Sequence, residues 1–229
     1  MRLPKIVLLA LAFPLFFACN NAASNKTEKN SEVKEMAKPS EDLTKFGIAN
    51  NPNNVLGGLT KGDKAPDFIM NSQDGEEVSL KSSLEKGPVL LVFLRAEWCS
   101  FCVRHLQEFE DNIKAIHEAG DVQVIAVSPQ EKSYMKEFHE EHQFSYPILH
   151  DVDHSVMKDY KVFFHVTEKY NDYIEGAKGK RIEVFNGNKE PVMPVPATYL
   201  IDQNQIIQFA HYDPNYKKRS DVKQLLEYL

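Results

Sequence analysis

The chain has 229 residues, 42% of them hydrophobic, a formal charge of −6 and three cysteines. That length supports one substantial core with a tail. The mild acidic excess, with no dominant basic patch, argues against nucleic acid as a partner, and so few cysteines argue against a small scaffold stapled by disulfides.

Arg2 and Lys5 form a short basic region ahead of an apolar run over residues 6–18, interrupted by Pro14. The run is shorter than the about 20 apolar residues that a spanning helix needs, and it fits a signal peptide. Ala18 directly before Cys19 resembles the bacterial lipobox. The resemblance implies a lipoprotein signal peptide over residues 1–18 and a lipid attached to Cys19, which places the protein in a bacterial cell envelope, anchored to a membrane on its extracytoplasmic side. Phe16 stands where the lipobox usually has Leu, and Leu15 is one place further back. An ordinary cleaved signal ending near a cysteine is the alternative, but an unpaired cysteine in an exported protein then needs another explanation. Residues 19–58 are rich in Asn, Ser, Lys, Glu and Pro and lack hydrophobic periodicity. They fit a flexible tether, and the folded domain is expected over residues 59–229.

Residues 88–94, PVLLVFL, are continuously apolar, as in a strand covered on both faces. After Cys99 and Cys102, Leu106, Phe109, Ile113 and Ile116 recur at helical spacing, with Gly120 beyond them. Residues 122–127, VQVIAV, predict a second buried strand, residues 132–142 a helix, residues 146–149 a short strand, and Val156, Tyr160 and Val162 a brief helix. Residues 164–193 are polar, contain glycine and carry no clear period, so they stand as an insertion. Residues 197–202 and 206–211 predict a hairpin, and residues 222–229 a closing helix. This order implies an α/β fold whose mixed central sheet, with parallel central strands and an antiparallel edge, is flanked by helices.

Trp98-Cys99-Ser100-Phe101-Cys102 places two thiols at a strand-to-helix junction. Free amide groups and the helix dipole stabilise a thiolate there, and the thiolate is the nucleophile of disulfide exchange. Two intervening residues let the second thiol displace a mixed disulfide formed on the first. Cys99 is therefore the expected attacking thiol, more exposed and more acidic, and Cys102 the resolving one. The alternatives are a structural disulfide or part of a zinc site. Zinc usually wants four ligands, and no second Cys pair exists, although His105, His117, His139 and His142 are available. No metal and no organic cofactor is expected.

The WCSFC motif after an apolar strand resembles the thioredoxin superfamily. Residues 195–202, VPATYLID, are similar to the segment in which that family carries a cis-proline beside the dithiol. The resemblance implies a thioredoxin-like fold, a cis bond at Pro196, and substrate held by the backbone of Val195. Trp98, beside the dithiol, either offers a substrate an apolar contact or is ordinary core. Residues 62–68, GDKAPDF, resemble the opening shared by peroxiredoxins and extracytoplasmic thioredoxin-like proteins. Over residues 62–229 the chain thus resembles a peroxiredoxin-like (alkyl hydroperoxide reductase/thiol-specific antioxidant-like) branch with an intact dithiol. The expected activity is thiol–disulfide exchange with protein dithiol or disulfide partners, with an upstream thiol reductant and the reductase direction.

Two other functions stand beside it. In a peroxiredoxin-like thiol peroxidase the family pattern P-x-x-x-T-x-x-C puts the peroxide-attacking sulfur on Cys102, but Cys99 then replaces Thr, Arg95 replaces Pro, and the family's second-site Arg falls at Pro196. A thioredoxin-fold adaptor would keep the dithiol without turnover. Thioredoxin's buried Asp corresponds here to Phe93, and Glu97 is the charged residue near the thiols. Phe101 is a candidate docking residue, and residues 211–214, HYDP, are candidates for the site's rim.

Overall fold

The computed structural model describes residues 42–228. The signal segment, Cys19 and most of the expected tether lie outside them. After a short turn of helix at Leu43–Phe46 come a hairpin of β1 (Ile69–Asn71) and β2 (Glu77–Ser79) and then α1 (Leu80–Leu84). β3 (Val89–Phe93) leads to α2 (Ser100–Asp111) and α3 (Ile113–Glu118). β4 (Gln123–Ser128), α4 (Lys132–His142), β5 (Ile148–His150) and α5 (Ser155–Asp159) follow. The remainder is β6 (Phe163–His165), α6 (Glu168–Lys178), α7 (Ile182–Phe185), β7 (Val192–Pro194), β8 (Ala197–Ile201), β9 (Ile207–Tyr212) and α8 (Val222–Leu226).

Five strands form the central sheet in the order β5-β4-β3-β8-β9. β3 pairs parallel with β4, and β4 parallel with β5. β8 runs antiparallel to β3 and β9 antiparallel to β8. This is the mixed α/β sheet that the sequence predicts. β3 is buried throughout because successive side chains enter opposite cores. Val89, Leu91 and Phe93 face one, with Met157, Tyr160 and Ile182, while Leu90, Val92 and Leu94 face the other, with Leu106, Phe109 and Met135. A continuous apolar run is what a strand with helices on both faces requires.

Three expectations change. The helix expected from Leu106 to Ile116 is two helices, because Asn112 leaves helical geometry at φ −110° and its side chain donates to the Glu108 carbonyl at 2.8 Å. The unassigned segment 164–193 is ordered: α6 and α7 lie between β6 and β7, which pair antiparallel. The expected tether ends earlier than residue 58. Ile48 is buried in the core and bridges Val166, and Val55 bridges Phe163, because apolar side chains and strand-like hydrogen bonds tie this stretch to the body.

Candidate active site

β3 ends at Phe93, and the chain crosses residues 94–99 to enter α2 with Cys99 as its N-cap. Cys99 uses no side-chain cap bond; its carbonyl accepts the Cys102 and Val103 amides at 2.8 and 3.0 Å. One helical turn brings Cys102 back over Cys99, and the two Sγ atoms share a hydrogen bond at 2.7 Å. Both are buried, Cys99 at 5% exposure and Cys102 at 2%. Only Cys99 lines the open cavity of about 370 Å³ at this end of the sheet, together with Arg95, Trp98, Phe101, Tyr170 and Tyr216. The exposure order of the two thiols follows the sequence expectation.

The acidity order is reversed. Burial works against a charge on Cys102, but the hydrogen bond from Cys99, then Arg219 and Arg95, lower its pKa to about 5. Arg219 places Nη2 3.5 Å from the Cys102 sulfur. The Cys99 thiol is held well above the ordinary value, first by its hydrogen bond to Cys102, then by burial and by the Cys102 charge. The fixed cations beside the pair thus draw negative charge to the Cys102 sulfur.

Arg95 explains part of this. It is 1% exposed, and burying a guanidinium is costly unless charges and dipoles around it compensate. Its face lies 4.2 Å from the Tyr216 ring centroid, 5.1 Å from that of Tyr170 and 5.7 Å from that of Trp98, and it donates to the Tyr170 hydroxyl. Burial opposes its charge, yet Cys99, Tyr170 and Cys102 raise its pKa above the ordinary arginine value.

Trp98 lines the cavity and packs against Phe185 at 6.2 Å, and Phe101 meets Tyr216 edge-on at 5.8 Å. Pro196 lies at the same end of the sheet, since Ala197 pairs with Phe93. The expected cis bond there is corrected: no peptide among the described residues is cis. The Val195 amide is corrected as a contact for substrate. Val195 is fully buried, and its amide donates to the Val162 carbonyl at 2.7 Å. Neither residue lines the cavity. Glu97 faces a separate groove along α2, beyond Trp98, where burial pushes its carboxyl up. Among the described residues no three His, Cys, Asp or Glu side chains cluster as a metal site.

Arg95, Tyr170, Tyr216 and Arg219 have no assigned role in the sequence reading. Arg95 carried a signal, a charge directly after a buried strand. The other three come from α6 and from the loop after β9, joined to the thiols only by the fold.

The mixed sheet, the strand-to-helix dithiol and the stabilised thiolate together define a thioredoxin-fold, thiol-dependent oxidoreductase. The AhpC/TSA family matches residues 61–210, more than half of the chain, and the chain belongs to that family. Peroxiredoxin Q of wheat (Triticum aestivum) is 28% identical over 153 residues, covering 66% of this chain and 70% of the relative. Peroxiredoxin Q of Arabidopsis thaliana is 26% identical over 175 residues, covering 76% and 69%. Among solved structures, peroxidoxin BcpB of Mycobacterium tuberculosis superposes with a TM-score of 0.57 at 21% identity, covering 74% of this chain and 96% of that one. A peroxiredoxin-like protein from Aquifex aeolicus gives 0.58 at 15% identity, covering 76% and 87%. At such identities the structures share the fold.

Proposed function

We propose that the protein is a thiol–disulfide oxidoreductase that reduces disulfides of protein partners through Cys99 and Cys102 and is recharged by an upstream thiol reductant. The observation that carries this reading is the geometry of the pair: sulfurs 2.7 Å apart, with Cys99 alone on the wall of the open cavity. Cys99 attacks one sulfur of the partner disulfide after passing its proton to Cys102, and the partner's other sulfur leaves as a thiolate that takes a proton from solvent. Cys102 then loses that proton and attacks Cys99, which frees the second partner thiol and leaves the Cys99–Cys102 disulfide. A reductant dithiol restores the pair and is itself oxidised. Trapping tests the cycle. Cys102→Ser retains partners as mixed disulfides on Cys99, and Cys99→Ser retains none. Repeated failure of the first variant to capture anything would favour an adaptor.

The two guanidinium groups around Cys102 favour a second reading, reduction of hydroperoxides, and so does the likeness to peroxiredoxin Q. There the Cys102 thiolate takes the distal peroxide oxygen, becomes a sulfenic acid and releases an alcohol or water. Condensation with Cys99 forms the disulfide and a second water. Rapid-mixing kinetics with hydrogen peroxide separates the readings. Fast sulfenic acid formation in Cys99→Ser would support the peroxidase, and a pair that ignores peroxide would remove it.

Anchoring through a lipid on Cys19 in a bacterial envelope is part of the proposal and rests on the lipobox resemblance. In the full chain, Cys19→Ala is expected to abolish incorporation of labelled fatty acid and release the protein from the membrane fraction. Retention of label in that variant would rule the anchor out.

A further inference from the structure

Arg219 lies on the loop between β9 and α8, beyond the residues that match the family. Bonds from Arg219 shape that loop from within, and two contacts of Ser220 hold it against β8 and α2. The Arg219 guanidinium donates through Nη1 to the carbonyls of Tyr216 and Lys218. Next to it, Ser220 is buried and its hydroxyl donates to Thr198 Oγ1 on β8 at 3.1 Å. The same Ser220 oxygen lies 3.0 Å from Nε2 of His105 on α2. Burial first, and then Arg219, push the His105 pKa down to about 3, so the ring stays neutral.

We propose that Arg219 is a catalytic residue of the dithiol cycle: it receives the Cys102 sulfur as a thiolate when the Cys99–Cys102 disulfide is reduced, and the His105–Ser220–Thr198 chain holds it in position. This rests on the dithiol reading above. An incoming thiolate can reach only Cys99, the sulfur on the cavity wall. Its attack forms a new S–S bond to Cys99 and breaks the Cys99–Cys102 bond, and the electron pair passes to Cys102, 3.5 Å from the Arg219 guanidinium. A leaving sulfur with a stabilised charge departs faster. With dithiothreitol as reductant, the second thiolate of the reagent attacks its own sulfur in the mixed disulfide. That step expels Cys99, which takes a proton from solvent, and yields cyclic oxidised reagent. Arg219 therefore serves the recharging half of the cycle above all. Other charged or titratable groups around the pair are Arg95 after β3, His105 on α2, Tyr170 on α6, His211 on β9 and Tyr216 on the last loop. All of them remain in an Arg219 variant.

The test compares the full chain with Arg219→Gln, Arg219→Lys and Ser220→Ala. Three readouts are taken: thiolate absorbance against pH, the rate of disulfide reduction by dithiothreitol, and the midpoint potential. Arg219→Gln is expected to raise the thiolate titration, to slow reduction about tenfold and to lower the midpoint by about 30 mV, the tenfold equivalent for a two-electron couple. Arg219→Lys recovers a large part of each shift, and Ser220→Ala moves all three in the direction of Arg219→Gln by less. Unchanged values in Arg219→Gln would overturn the assignment, as would equal losses in the Lys and Gln variants, which would trace the effect to loop packing. Where Arg219→Gln does not fold, judged by circular dichroism, Ser220→Ala carries the test, and its failure to shift any readout overturns the proposal. A wild-type protein with no reversible dithiol–disulfide transition would refute the dithiol reading itself, before any variant is compared.

Discussion

The sulfur of a buried residue holds a negative charge poorly unless fixed cations face it, and Cys102, 2% exposed, has two such cations, Arg95 and Arg219. The consequence is measurable without any partner. Above about pH 5 the reduced pair carries one proton, and below it two. The midpoint potential of wild-type protein should therefore change by about 30 mV per pH unit above that value and by about 60 mV below it, from the two-electron relation. A slope of about 60 mV maintained to pH 7 would show that both thiols stay protonated and that the cations do not act. The two cysteines were legible from their spacing alone. Their acidity order was not, because it depends on guanidinium groups from a strand end and a distant loop, and no local pattern marks a long-range charge.

Among the elements, α6 has the largest effect on the site. Tyr170 and Ile174 project from it onto the cavity wall beside Cys99. Its position is held by Arg181, which contacts Glu168, Asp172 and Glu175 on α6 and Glu183 on α7 at 2.6–3.4 Å. Single exposed ion pairs contribute little, but one side chain that ties two helices restricts their relative motion. Arg181→Ala is expected to raise the alkylation rate of Cys99 by iodoacetamide several-fold in 0.1 M salt, with far-UV dichroism unchanged; an unaltered rate would show that packing alone holds α6. At α5, the buried Asp151 accepts the Met157 and Val156 amides at 2.8 and 3.3 Å. Burial raises its pKa to about 6 in spite of these bonds, from 3.8. A raised carboxyl contributes stability that is complete below its unfolded value and is lost as pH rises through the folded one. Urea midpoints of wild type should fall between pH 4 and pH 7 for this reason, and Asp151→Asn should show a smaller fall; identical slopes would assign the effect to other groups. The sequence located α4 to the residue, because Met135 and Phe138 repeat at helical spacing, whereas α6 and α7 escaped. α6 buries only Asn171 and Ile174, too narrow an apolar stripe to stand out from a polar segment.

For the molecule as a whole, stability depends on β3, which has a core on each face. Leu91, fully buried at its centre, is expected to cost about 2–5 kcal/mol when cut to Ala, measured by urea unfolding of reduced protein; a loss below 1 kcal/mol would show that the core collapses around the gap. Sheet and layers were legible because β3 and β4 are unbroken apolar runs, each followed by a segment of helical period. The geometry at Val195 and Pro196 was not, because the bond from the Val195 amide to Val162 depends on how β6 and β7 pair. The pairing of β3 with β8, Phe93 against Ala197, joins the dithiol's strand to one of the last elements made. Proteins are synthesised from the N-terminus, so while the chain is still on the ribosome β3 has one bare edge and Arg219 does not yet exist. Until Arg219 is made, Arg95 is the one guanidinium of the two that can face the Cys102 sulfur. A chain clipped ahead of Arg219 therefore keeps its dithiol but gives up one of the two cations that draw negative charge to Cys102.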